Sequence, residues 1–294
     1  MSVAQSERKS FFKKVRTGKD DPNAEMSFID HLEVLRWHIV RSAAVVLSAA
    51  IVIFIYIDWI YDNIIIAPTQ PGFVTYTGLC NLGHRLHLGD ALCMPPVKIQ
   101  LVIYTISGTF SSAINIAIMG GVIVGLPYLL WELWRFIKPA LSKKELRYAR
   151  GSIGWLSLCF FTGAAFGYFL LAPFTFNFLA SFKLGNLGAQ TYLPSQEDYI
   201  DTLVDIILGC GIAFELPIVS YVLAKIGLIS SKFLRTYRKY AYVLILIIAA
   251  VITPSPDWTS QTIVAVPLIF LYEISIFITR RVDRDREKIE KEWA

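Results

Sequence analysis

The stretch PYLLWELWRFIKPALSKKELR, Pro127 to Arg147, decides how the rest of the chain is read. It leaves the end of a strongly apolar run, passes through a cluster of aromatic residues and enters a basic turn that holds one carboxylate, Glu145. A soluble domain has little reason for that order. A membrane protein has one, because Trp and Tyr concentrate in the headgroup zone and Lys and Arg on the cytoplasmic side beyond it. The stretch reads as a helix leaving a bilayer and presenting a surface to the cytoplasm.

Composition agrees. Of 294 residues, 55% are hydrophobic and only 17% charged, too apolar for the surface of a soluble domain of this length. The net charge of +5 does not call for nucleic acid, since the basic residues lie in short blocks between apolar runs and form no continuous stripe. The expected fold class is all-α, a polytopic membrane protein.

Residues 1–25 are polar and basic and read as a disordered cytoplasmic tail. From Met26, MSFIDHLEVLRWH places Phe28, Leu32, Leu35 and Ile39 on one helical side and Asp30 and Glu33 on another, an amphipathic helix leading into the membrane. Ile39 to Ile57 forms the first span, with Arg41 near enough to its end to snorkel out as an anchor. A proline-broken loop follows to about Ser112, and its VKIQLVIYTI portion fits either a strand or a helix. Ala113 to about Leu130 is the second span and Ile153 to about Phe182 the third, where Pro173 should kink the helix or end its regular part. Gly121 and Gly125, and again Gly163 and Gly167, have the small-xxx-small spacing that lets helices approach closely. Tyr199 to Ile226 is the fourth span, and Ser231 offers a helix cap in the basic turn beyond it.

Two shorter runs close the membrane region, Ala241 to Ile252 and Thr262 to about Ile278. Twelve residues rise about 18 Å against a hydrocarbon core of about 30 Å, so the pair is either a re-entrant hairpin or two short crossings in a thinned bilayer. Basic blocks flank both outer ends, which favours crossing. With six spans and the N-terminus inside, 24 of the 28 Lys and Arg fall in cytoplasmic segments, a strong positive-inside bias. The expected domains are the tail 1–25, a six-span region 26–281 and a charged cytoplasmic tail 282–294.

Few polar groups interrupt the spans. Glu215 lies deep in the fourth, where an acidic residue costs about 2.5–3.5 kcal/mol on insertion scales, and Pro217 marks the same place as irregular. Glu273, near the basic end of the sixth, can pair with Arg280. Glu33 and Glu145, both beside membrane-surface aromatics, suit an Arg-rich ligand, because guanidinium pairs with carboxylate bidentately. In the long loop, Cys80, His84, His87 and Cys93 raise the question of a metal, yet their spacing matches no specific zinc pattern. A Cys80–Cys93 disulfide is the favoured reading if the loop faces an oxidising compartment, and no metal or cofactor is expected.

HLEVLR (His31 to Arg36), WRFIKPALSKKE (Trp134 to Glu145), FELP (Phe214 to Pro217) and TPSPDWTSQT leading into AVPLIFLYEI together resemble the twin-arginine translocase subunit TatC, from about Met26 to Arg281. The resemblance implies a non-enzymatic receptor in the bacterial cytoplasmic membrane, driven by the proton-motive force. It would recognise twin-arginine signal peptides and help move folded proteins across. It implies six transmembrane helices in a concave bundle, cytoplasmic termini and short fifth and sixth helices. The implied partners are the single-span TatA and TatB-type proteins, membrane lipids and further copies of the chain. Phe136 and Glu145 match the family's signal-recognition positions, and Glu215 its membrane-embedded Glu, with Thr253 and Gln261 as polar companions. The family motif HLxELR carries its Glu where this chain has Val34. Here the carboxylate stands one position earlier, rotated by about 100° on a helix, and Asp30 or Glu33 would take its role.

One competing class remains, a proton- or ion-coupled small-molecule transporter titrating at Glu215. No inverted repeat and no paired broken helices support it.

Overall fold

The computed structural model describes residues 28–87, 89–93, 100–137, 152–181, 194–252 and 258–293. These are almost wholly helical, and they fall into two compact units, Met1–Val40 and Arg41–Ala294. Of the first unit, only the opening of helix α1 (Phe28–Ile55) is described. The amphipathic segment and the first span are thus one uninterrupted helix. On its later part Leu47, Ile51, Val52 and Ile55 are exposed, an apolar face that only lipid or another apolar surface can cover.

After α1 the backbone turns irregular, and prolines are the reason. The helical turn Ile57–Ile60 runs into a π-turn, Tyr61–Ile65, then a 3-10 turn, Ala67–Thr69, that contains Pro68. Pro68 has no N–H for the carbonyl of Ile64, four residues earlier. The Tyr168 hydroxyl donates to that carbonyl at 2.7 Å. Two further tyrosines hold the same turn, Tyr199 donating to the Ile65 carbonyl at 2.7 Å and Tyr76 to the Pro68 carbonyl at 3.0 Å. Burial pushes the Tyr76 phenol above its ordinary pKa, which keeps it a donor.

The same logic recurs at Pro173. Helix α2 (Val74–Arg85) brings Thr75 against the third span, which follows helix α3 (Gly108–Ile137) in the chain. That span is α4 (Ser152–Phe166), a π-turn at Gly167–Leu171 and α5 (Ala172–Ser181). Pro173 strips the Phe169 carbonyl of its helical donor, and the Thr75 hydroxyl supplies one. The helix therefore widens ahead of Pro173 instead of stopping there. Residues 100–104 are extended, and Val102 forms an isolated parallel bridge with Ser195.

Helix α6 (Gln196–Ala213) is capped by Ser195 and followed by α7 (Leu216–Lys225). Helix α8 (Ser231–Thr236) takes Ser230, not Ser231, as its cap, since the Ser230 hydroxyl accepts from the Phe233 N–H at 3.2 Å. The Ser231 N–H instead donates to Asp283 at 2.7 Å. Helices α9 (Arg238–Ile252) and α10 (Trp258–Trp293) complete the described chain, and α10 packs on both α7 and α9.

Both glycine pairs lie where backbones meet. A Cβ on Gly163 would stand 2.6 Å from the Cys210 carbonyl oxygen, and one on Gly121 would stand 2.7 Å from that of Val46. Around the first contact, Leu171, Ile200, Leu203 and Ile206 are fully buried. Among the described residues four stretches can cross a membrane by length and composition: Glu33–Ile55, Gly108–Phe136, Gly154–Ser181 and Gln196–Lys225. Helix α9, with 15 residues, rises about 22 Å.

Replacing Thr75 by Val keeps the side-chain shape and removes the donor to Phe169. The expected loss is about 1–3 kcal/mol of unfolding free energy, the range for a buried acceptor left unpaired, read by thermal unfolding in detergent. Thr75→Ser should retain most of it. Equal stability of Thr75→Val and the parent would show that the proline-freed carbonyl needs no donor.

Candidate functional site

Two polar features stand out against the apolar background. The first is the break between α6 and α7. Helix α6 ends at Ala213, and Pro217 sits in the first turn of α7, so the Ala213 carbonyl loses its helical donor. Between the helices the Glu215 N–H donates to the Ile212 carbonyl at 3.1 Å, a tightened turn, while the Glu215 carbonyl accepts from Ile218 and Val219. Glu215 is 9% exposed, and neither carboxylate oxygen has a hydrogen-bond partner among the described residues. Phe214 beside it packs on Phe166 at 5.4 Å between ring centroids. The described residues leave a buried acid unsatisfied at a helix break, an arrangement that persists only when the surroundings over-determine it.

The second feature ends α3 and contains the aromatic belt. Glu132 is 1% exposed. It accepts from the Tyr128 hydroxyl at 2.8 Å and from Arg135 Nη1 at 3.4 Å, and Arg41 Nε of α1 lies 3.5 Å away as an ion pair without hydrogen-bond geometry. Arg135 also lies 4.9 Å from the centroid of the Trp131 ring, a cation–π contact. Arg41 is therefore not only a snorkelling anchor. It joins α1 to α3, one turn below Phe136.

Phe136 is half-buried at the last turn of α3, and Trp134 beside it is buried. Glu145 and Thr253 lie outside the described residues. In the first unit Glu33 and Val34 are both exposed, and the Arg36 guanidinium lies 5.7 Å from the Trp37 ring centroid. Gln261 is half-buried and donates to the Leu246 carbonyl at 2.9 Å, tying α10 to α9, and it makes no hydrogen bond to Glu215. Glu273 pairs with Arg238 at 2.8 Å and accepts from Tyr242, in place of the Arg280 partner expected from sequence. Cys80 and Cys93 are disulfide-bonded.

Sequence reading missed Glu132 and its two arginines. The signal was available in the Tyr128, Glu132, Arg135 spacing on one helix face, but the third partner comes from another helix.

These are the parts of a polytopic helical membrane protein with polar side chains set at a helix break and near a helix end. The chain belongs to the TatC family, Sec-independent protein translocase protein, whose model matches residues 30–267. It is 37% identical over 271 residues to TatC of Blattabacterium sp. subsp. Periplaneta americana, covering 91% of this chain and all of that one. TatC of Carboxydothermus hydrogenoformans is 31% identical, with 87% of this chain and 93% of the relative covered. A crystal structure of the twin-arginine translocase receptor TatC superposes with a TM-score of 0.66 at 31% identity, over 86% of this chain and 99% of that one. That likeness makes α9 and α10 the fifth and sixth membrane helices.

The arrangement at Glu132 predicts an asymmetry. Glu132→Ala leaves two arginines that are each 43% exposed and can hydrate, so the loss should be about 1–2 kcal/mol. Replacing Arg41 and Arg135 together by Met removes both cationic partners from a carboxylate that cannot reach water, and the loss should approach about 3–5 kcal/mol. Thermal unfolding of both variants in detergent checks the order, and the reverse order would refute the assignment of Glu132 as the buried partner.

Proposed function

We propose that this protein is the signal-peptide receptor and core component of a twin-arginine protein translocase, exporting folded proteins and catalysing no chemical reaction itself. The observation that carries this reading is the superposition on a twin-arginine translocase receptor over 86% of the chain at 31% identity. In this reading Phe136, Glu145 and Glu33 act on the arginine pair of the signal peptide. A carboxylate accepts a guanidinium through two parallel hydrogen bonds, and an aromatic face takes the apolar residues and the cation edge beside it. The Glu132–Arg41–Arg135 network holds the end of α3 from which Phe136 projects, so these three are positioning residues. Glu215, with Thr253 and Gln261, supplies the polar groups within the membrane against which a translocating partner docks.

The remaining parts follow from the same reading. The Lys and Arg distribution, 24 of 28 in the segments called cytoplasmic, supports both termini in the cytoplasm and residues 26–281 as the membrane region. The location is the bacterial cytoplasmic membrane. Partners are TatA and TatB-type single-span proteins, lipids and further copies of this chain.

Binding of a fluorescent twin-arginine peptide to the purified protein tests the recognition residues. Glu145→Lys and Phe136→Ala should each weaken binding at least about tenfold, since one charge-assisted contact is worth about 1.5–3 kcal/mol, while the protein still inserts. Undiminished affinity would remove these residues from the site.

Glu215 yields a second expectation. Because its carboxylate is buried with no hydrogen-bond partner among the described residues, Glu215→Leu should raise stability by about 1–2 kcal/mol and lower export of a folded twin-arginine substrate. A destabilised Glu215→Leu protein, or one that exports normally, would contradict the role.

A further inference from the structure

The corner between α2 and the 3-10 turn Gly89–Leu92 gathers more donor atoms than a disulfide requires. One imidazole nitrogen of His84 and the sulfurs of Cys80 and Cys93 lie within 4.8 Å of one another. His84 Nδ1 lies 2.9 Å from the Cys80 carbonyl oxygen, one helical turn back. As an N–H donor there it fixes the tautomer and leaves the lone pair on Nε2, the arrangement that metal-bound histidines commonly show. Nε2 in turn lies 3.3 Å from Asp90 Oδ1, and Asp90 Oδ1 lies 3.8 Å from Cys93 Sγ.

An imidazole lone pair and a carboxylate face each other stably only with a cation between them. A proton can serve, but the two side chains are 58% and 88% exposed, and such surface pairs contribute little. A tetrahedral zinc ion with nitrogen and oxygen ligands at about 2.0–2.1 Å sets those ligands about 3.3 Å apart, and a sulfur at about 2.3 Å lies about 3.6 Å from either. The observed separations of 3.3 and 3.8 Å match that polyhedron. The two sulfurs do not, because they are bonded to each other and Cys80 Sγ lies 3.7 Å from Nδ1 instead of facing Nε2, so they must part by reduction and Cys80 must turn toward Nε2 to serve as thiolates.

We propose that reduction of the Cys80–Cys93 bond converts this corner into a site for one zinc-class divalent cation, with Cys80, His84, Asp90 and Cys93 as ligands. A dithiol reductant supplies two electrons and two protons and becomes a disulfide itself, while the S–S bond breaks and two thiols form. Binding then displaces both thiol protons to solvent, and the metal bridges the two thiolates. Two sulfurs, one nitrogen and one oxygen form a donor set suited to zinc over magnesium or calcium. Either state closes the same segment, a covalent staple when oxidised and a metal clip when reduced. The motif C-x3-H-x5-D-x2-C carries it, with Cys80 and His84 on one face of α2 at i and i+4.

The full chain in detergent, reduced with a phosphine, stripped of metal and titrated with Co2+, provides the test. One equivalent should bind with a thiolate-to-cobalt charge-transfer band and the intense visible bands of tetrahedral cobalt, and Zn2+ should displace it. His84→Ala and Asp90→Ala, both surface changes, should each weaken binding at least about tenfold. Zn2+ should also slow alkylation of Cys80 and Cys93 in the reduced parent, located by mass spectrometry, a readout that needs no variant. Absence of cobalt binding, the same spectrum from the oxidised protein, unchanged affinity in both variants or unprotected thiols would overturn the site.

Discussion

Backbone carbonyls that prolines leave without a donor govern this structure. A carbonyl kept from water without a donor is costly, and at two of these prolines a side chain from a neighbouring element meets it. At Pro68 the Tyr168 hydroxyl reaches the Ile64 carbonyl, and at Pro173 Thr75 reaches that of Phe169. These bonds tie the irregular segment after α1, helix α2 and the third span into one unit. The close glycine contacts, Gly163 on Cys210 and Gly121 on Val46, then set how near the long helices lie.

Charge is handled in two ways within the same scaffold. Glu132, near the end of α3, and Glu273, inside α10, are each held by arginine and tyrosine. Among the described residues Glu215 has neither, and it sits at a further proline break, where the Ala213 carbonyl is also freed. At Pro68 and Pro173 hydroxyl groups from neighbouring elements meet the freed carbonyls. At Pro217 the described residues leave a buried acid unpaired instead, the feature that the proposed docking of a translocating partner would use.

Much of this was legible in sequence, for identifiable reasons. The spans followed from unbroken apolar runs, and both glycine pairs from their four-residue spacing. Glu215 stood out because an acid in such a run has no local compensation. Glu132 did not stand out, because a carboxylate inside an aromatic belt reads as a surface residue, and only tertiary structure brings Arg41 to it. Glu273 was assigned the nearest arginine in sequence, whereas the helix hairpin of α9 and α10 presents Arg238 instead. The cap of α8 was displaced by one residue because Asp283 claims the Ser231 N–H. Sequence spacing specifies which residues share a helix face, and it is silent on which face of a distant helix comes to meet them.

The central claim is that the end of α3, held by the Glu132 network, receives the arginine pair of a signal peptide. Photo-crosslinking from position 136 tests it most directly, with a twin-arginine peptide, a twin-lysine control, and a second probe at Phe161, an exposed apolar position on α4. The account predicts strong labelling of the twin-arginine peptide from position 136, weak labelling of the lysine control and none from position 161. Equal labelling of both peptides, or equal labelling from both positions, would contradict it.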